Sequence, residues 1–328
     1  MTKFNHPRRR WLAAGVAAGL ARPALSQAPV PSNLRIIVGF AAGGGADAVS
    51  RLLAEKMREY LPGGTQIVVE NKLGGQGKIA VDTIRAAAAD GSSLLVAPLV
   101  TPVLSQLVFR APGYDPAKDL VPIGMIGHFQ FALVVAASHP ARTVAEFSAW
   151  LKLNKAKATY GTPSAGSLPH FFGLMLGKAV GAEIVHVPYK GGAPMLADLL
   201  GGQIACGIDT EQELIELHKA GKIRVLAMFS PKRSAQLPDV PTMLELGYRE
   251  AVGSGWYSMW TTVKTPVATV AALNGALNKA LVNADVKERF SKWALDAAPA
   301  SPESLEQTRQ ADIAKWRPVI AASGFQAD

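Results

Sequence analysis

Three consecutive glycines, Gly43-Gly44-Gly45, stand between a β-branched run and an amphipathic helical pattern, and they constrain this chain more than any other stretch. Ile36-Ile37-Val38 reads as a buried strand, and Val49, Leu52, Leu53 and Met57 recur at helical spacing beyond the glycines. The chain thus passes from strand to helix through a turn without side chains, where a ligand can approach the backbone. The first amides of such a helix have no intrahelical acceptor, and the positive end of its dipole stands behind them, so an anion is the natural guest. Two rival readings use the same residues. Gly43, Gly45 and Ala48 fit the relaxed dinucleotide fingerprint, with Glu70 after Ile67-Val68-Val69 placed as a ribose-binding acid, which would make the chain an exported NAD(P)-dependent oxidoreductase. The other reading is a turn that only packs closely. A Walker loop fails at Gly77-Lys78, because Lys72 stands where its first glycine belongs and Ile79 where a Ser or Thr belongs.

Residues 1–28 read as an export signal. Lys3 and Arg8-Arg9-Arg10 give a basic start, Leu12 to Ala21 is an apolar run too short to span a bilayer, and Ala24-Leu25-Ser26 or Ser26-Gln27-Ala28 offers small residues for cleavage. Arg8-Arg9-Arg10-Trp11-Leu12 also approximates the twin-arginine pattern, so both the Sec and the twin-arginine routes stay open. A retained N-terminal helix is the alternative. The segment carries five basic residues and no acid, so removing it takes the formal charge from +9 to +4 (9 less 5). No Lys/Arg block interleaved with aromatics follows, which argues against nucleic acid. Cys206 is the only cysteine and reads as a small buried residue without a disulfide partner in the chain. No later run is long and apolar enough to cross a membrane. Taking 28 from 328 leaves 300 residues, more than one core usually supports, so two domains are expected.

Strand and helix patterns alternate along the mature chain, which predicts a largely parallel sheet covered by helices on both faces. A second glycine-rich turn, Asn71 to Gly77, precedes an Ala-rich helix from Ile79 to Ala89, and Leu94 to Val96 reads as the next strand. Phe131 to Ala136 opens a second block, followed by a helix over about Val144 to Leu153. Ala158 to Thr162 then enters a small-residue loop ending at Ser167. Ser167 is placed to cap the next helix and Pro169 falls in its first turn, so the opening device is repeated. Ligands in open α/β sheets collect at the carboxyl ends of strands, and two such loops facing one another would make one site from two lobes. From Pro266 onward only helices are expected: Val267 to Val282, Val286 to Ala294, and Pro302 to Ala322.

With these pieces assembled, the chain resembles the Bug-type solute receptors of tripartite tricarboxylate transporters. The likeness runs from about Leu34 to Phe325. It is carried by Gly39-Phe40-Ala41-Ala42-Gly43-Gly44-Gly45-Ala46-Asp47 with Arg51, Val69-Glu70-Asn71 with Gly74-Gly75-Gln76-Gly77, and Tyr160-Gly161-Thr162 with Gly166-Ser167 and His170. His186-Val187-Pro188-Tyr189-Lys190-Gly191 and Leu237-Pro238-Asp239-Val240-Pro241-Thr242 extend it. The resemblance implies an α/β, periplasmic binding protein type II fold with two α/β lobes around a ligand cleft: residues 29–127 plus 250–328 as lobe one and 128–249 as lobe two. It also implies a small carboxylate ligand, held by Ala42, Gly43, Gly44 and Asp47 from lobe one and by Thr162, Ser164, Gly166 and Ser167 from lobe two, with Asp209 as a further candidate. A membrane permease is the implied partner, the compartment is the periplasm, and the receptor is expected to be a monomer without cofactor, metal or enzymatic activity. Ser164 replaces a glycine usual at its position, so it either adds a hydroxyl donor or narrows the cleft.

Several of these residues have a second reading. Asp47 either binds a ligand amino group or caps its helix, with Arg51 one turn away as a partner. His170 either donates to a ligand or packs. Asp209 ends an apolar strand, where a buried charge needs a ligand amine or a loop N–H. Phe129, Phe131, Trp256, Tyr257 and Trp260 line the cleft or fill the core. The other histidines show no metal-like spacing. Ser164 in Gly161-Thr162-Pro163-Ser164-Ala165-Gly166 lacks the spacing of a nucleophile elbow, which argues against a serine hydrolase.

Overall fold

The computed structural model describes residues 1–2 and 30–327; the expected export signal falls almost wholly outside the described residues. The chain runs β1 (Asn33–Val38), α1 (Gly45–Met57), β2 (Gln66–Asn71), α2 (Lys78–Arg85) and β3 (Ser93–Pro98). Two short helices, α3 (Ser105–Val108) and α4 (Pro116–Asp119), precede the long strand β4 (Leu120–Phe129). The second block is β5 (Phe131–Ala136), α5 (Val144–Leu153), β6 (Thr159–Thr162), α6 (Leu168–Val180), β7 (Val185–Pro188), α7 (Gly192–Leu200), β8 (Cys206–Thr210), α8 (Glu211–Lys219) and β9 (Ile223–Met228). The chain returns through β10 (Gly255–Thr262) to α9 (Val267–Val282), α10 (Ala284–Lys292), β11 (Leu295–Ala297) and α11 (Pro302–Ser323). Among the described residues no helix is long and apolar enough to cross a membrane.

The strands form two sheets, ordered β11-β4-β10-β3-β1-β2 and β7-β6-β8-β5-β9. Only one side of each sheet is parallel. β1 pairs parallel with β2 and β3, and β6 with β7 and β8, whereas β10, β4, β11, β5 and β9 join antiparallel. The expectation of a largely parallel sheet is therefore corrected, and so is the all-helical tail, because β11 adds an edge strand to β4. The missed strands break the usual patterns. β4 carries Pro122 and two glycines, and a Cβ on Gly124 or Gly127 would lie 2.8 Å from Asn274 Nδ2 or 2.7 Å from the Asp296 carbonyl. Bare backbone is what lets α9 and β11 approach this strand.

Helices on both faces follow from β1 itself. Ile36 and Val38 point to Val49, Leu53 and Leu277, while Ile37 points to Ala80, Val81 and Ile84 on the other side. All three strand residues are fully buried, each contributing about 1.5–3 kcal/mol of transfer free energy. The second sheet divides likewise: Leu133 and Val135 face Phe147 and Phe171, and Val134 faces Met195 and Leu214. One apolar cluster joins the sheets through Trp256, Phe172, Phe229 and Trp316.

The chain crosses between sheets at Gln130 and again over residues 229–254. Ser230 Oγ donates to Gln130 Oε1 at 2.6 Å, tying the two crossings together. The last helix, α11, packs on β4 and α3 of the first block and on α6 of the second.

Candidate ligand cleft

The parallel strands β1, β3, β6 and β8 end at a cleft between the sheets, and the loops beyond them build it. One chamber of about 420 Å³ is lined from the first block by Phe40, Ala41, Gly44, Gly45 and Ala46, and from the second by Ser164, Ser167, Leu168 and Pro169. A second chamber of about 270 Å³ shares Gly45, Phe129, Asp209 and Tyr257 with the first and continues toward the start of α8. The two glycine- and serine-rich loops thus face each other across one cavity.

Neither opposed helix has a side-chain cap. Gly44 caps α1 with extended backbone (φ −76°, ψ 170°), and Ser167 caps α6 without a side-chain hydrogen bond. Ser167 Oγ donates to the Ser164 carbonyl at 2.6 Å instead, so the expected capping contact is replaced by one within the loop. Uncapped first-turn amides at both helix starts, Gly45 and Ala46 on one side and Leu168 on the other, border the chamber.

Several of the other expected site residues hydrogen-bond within the chain. Asp47, buried at 3 % exposure, has both oxygens hydrogen-bonded to groups of the first block. Oδ2 accepts from the Gly43 N–H (2.9 Å) and Arg51 Nε (2.9 Å), and Oδ1 accepts from Arg51 Nη2 (3.0 Å) and Asn71 Nδ2 (3.0 Å). The Arg51 guanidinium, aided by the Gly43 amide and Asn71, holds this carboxyl down to about 2 against the cost of burial. Asp47 therefore shapes the turn, and Gly43 spends its amide on Asp47. Ala42 stands exposed in the same loop outside both chambers.

In the second loop, Thr162 is fully buried and its Oγ1 meets the Ser164 carbonyl (3.2 Å) and His186 Nε2 (2.7 Å). The Gly166 N–H donates to His170 Nδ1 at 3.2 Å, so that amide also serves the loop. His170 and His186 stack with centroids 4.0 Å apart at 11°. Burial lowers His170 to about 4, and burial together with its neighbour lowers His186 to about 4, so both imidazoles are neutral. Phe325, just past α11, packs edge-on against His170, and a Cβ on Gly166 (φ +70°) would lie 2.7 Å from its ring. Ser164 Oγ donates to the Ala165 carbonyl (3.1 Å) and to no histidine.

Of the aromatic candidates, Phe129, Phe131 and Tyr257 line the cleft, while Trp256 and Trp260 are core, their indoles bonded to Asp312 (2.7 Å) and Ser258 (2.7 Å). Glu70 pairs with Lys72 (3.2 Å) and Arg35 (3.7 Å). Phe40, Gln76 and Pro98 are cleft residues that sequence reasoning missed; only the adjacency of Phe40 and Gln76 to glycine-rich turns signals them.

Residues 49–325 match the model of the tripartite tricarboxylate transporter family receptor. The chain belongs to that receptor family. Protein BugT of Bordetella pertussis is 31 % identical over 308 residues, covering 94 % of each chain. The solved periplasmic binding protein BugD is 31 % identical with a TM-score of 0.76, over 90 % of this chain and 99 % of that one. A Rhodopseudomonas palustris protein solved with adipate is 30 % identical with a TM-score of 0.79 (90 % and 98 % covered), and MatC of that organism, solved with bound malate, is 28 % identical with a TM-score of 0.75 (88 % and 98 %). The tripartite tricarboxylate receptor fold, two α/β lobes around a cleft, is thus the one seen here.

Proposed function

We propose that this chain is a non-enzymatic extracytoplasmic receptor that holds the carboxylate of a small organic acid in the cleft and delivers it to the membrane permease of a tripartite tricarboxylate-type transporter. It acts as a monomer in the periplasm after export by the Sec or twin-arginine route. The observation that carries the reading is the pair of uncapped helix starts, α1 and α6, opening into one chamber. Malate and adipate in the two solved relatives support an organic acid. Charge-assisted hydrogen bonds contribute about 1.5–3 kcal/mol each, and micromolar affinity requires about 8 kcal/mol, so four to six amide and hydroxyl contacts suffice without an arginine clamp.

A thermal-shift screen of mono-, di- and tricarboxylates tests this. A cognate acid at a hundred times its dissociation constant adds about 2.7 kcal/mol of stability. Indifference to every acid would sink the proposal.

A further inference from the structure

Away from the cleft, α6 and α11 leave a groove between them, bordered by the second crossing segment. Leu174 and Met175 of α6, Val252 of the crossing, and Val319 and Ala322 of α11 give it apolar walls. Its volume of about 800 Å³ falls in the range of small-molecule sites, roughly 300–1,000 Å³. It shares no lining residue with either cleft chamber. Leu174, Val252 and Val319 stay partly exposed there, an apolar strip that the described chain leaves uncovered.

The rim carries an excess of one sign. Lys178, Arg249 and Lys315 line the groove against a single acid, Glu250. Glu250 is committed to Lys178 at 3.2 Å, and neither Arg249 nor Lys315 has an ion pair among the described residues. Asp312, one turn before Lys315, accepts from the Trp256 indole instead, at 2.7 Å. The cations gather at the crossing segment: Arg249 belongs to it, Lys178 reaches it through Glu250, and Lys315 Nζ lies 3.1 Å from where a Cβ on Gly253 would stand. The same ammonium lies over the Trp316 ring, 5.3 Å from its centroid. From Lys315, α11 runs on through Val319 and Ala322 at i+4 and i+7 on one face, which makes about 10 Å of apolar wall. Charge at one end and apolar surface along the rest is the layout of a head and a tail.

We propose that this groove is a second binding site, for an amphipathic anion: a medium-length alkyl chain lying against Val319 and Ala322, with its single negative head between Arg249 and Lys315. Burial holds the chain, and two cations without ion pairs select the sign of the head, so neutral and cationic amphiphiles of equal length are discriminated against. α6 comes from the second block and α11 from the first, so the occupant ties the blocks together. The assignment stands apart from the carboxylate-receptor reading of the cleft.

Isothermal titration of the mature receptor with octanesulfonate, hexanesulfonate, octanol and octyltrimethylammonium, each below its micellar concentration, tests it. Each methylene buried tightens binding about fourfold, so octanesulfonate should bind about tenfold tighter than hexanesulfonate. It should also bind at least about tenfold tighter than octanol or octyltrimethylammonium. Arg249→Gln combined with Lys315→Gln should bring octanesulfonate to the level of octanol; both side chains are exposed, so the melting temperature should not move. Ala322→Trp, also at an exposed position, fills the tail end and should weaken octanesulfonate and octanol alike by about tenfold or more. Octanesulfonate that fails to bind, that binds no better than octanol, or whose affinity survives both the paired substitution and Ala322→Trp overturns the assignment.

Discussion

Replacing His170 by Phe should lower stability at neutral pH and, at the same time, flatten the acid side of the stability profile. His170 is buried and neutral, with a folded value of about 4 against the ordinary 6.5. Between those values the unfolded chain binds the proton more readily, so the contribution of His170 is complete above about pH 6.5 and is lost as the pH falls toward 4. The linkage amounts to about 2 kcal/mol between pH 7.5 and pH 5, and about 3 kcal/mol by pH 4. Asp209, raised to about 7, acts in the opposite sense: its folded form takes up a proton first, so it adds stability on acidification from about 7 toward 4. The wild-type profile alone therefore cannot isolate the imidazole, but the difference between wild type and H170F can. At pH 7.5 the variant leaves the Gly166 N–H without its acceptor, which costs about 1–3 kcal/mol. By pH 5 the deficit should have shrunk by about 2 kcal/mol. Urea unfolding of both proteins at a series of pH values measures it, and a deficit that stays constant from pH 7.5 to 5 would refute the buried neutral imidazole.

Gly44→Val should abolish binding of carboxylates while leaving the fold intact. Its φ of −76° and ψ of 170° suit valine and an added Cβ meets only the Ala41 carbonyl at 3.3 Å; calorimetric affinity within threefold of wild type, with an unchanged melting temperature, would remove this helix start from the site. Asp47→Asn should cost about 2 kcal/mol in urea unfolding, because charge-assisted bonds to Arg51 and the Gly43 amide are weakened, and a loss below about 0.5 kcal/mol would show that the turn holds without the carboxylate.

What was legible in the sequence was the part written in local pattern. The Ile36-Ile37-Val38 run, three glycines and a 3.6-residue repeat leave few options besides strand, bare turn and helix, and the loop from Thr162 to Ser167 repeats the device. β4 and β10 were not legible, because β10 reads Gly-Trp-Tyr-Ser-Met-Trp-Thr-Thr without clean alternation and β4 is interrupted by proline and glycine. Within the cleft, sequence located both loops but not which amides remain free. That depends on His186 reaching Thr162 across 24 positions and on Asp47 turning back to Gly43, choices set by packing. Asp47 and Arg51, one helical turn apart, were readable as partners; the stacking of His170 on His186 left no mark in either neighbourhood.

Phe325 gives the molecule a brace that its two crossing strands do not supply. A ring at the end of the final helix is wedged beneath the loop of the opposite lobe, against His170 and Phe171, so the halves cannot gape without unseating it. That adds a penalty of order 1 kcal/mol to spreading, and it tilts the resting molecule toward a shut jaw whose mouth is already shaped before any guest arrives.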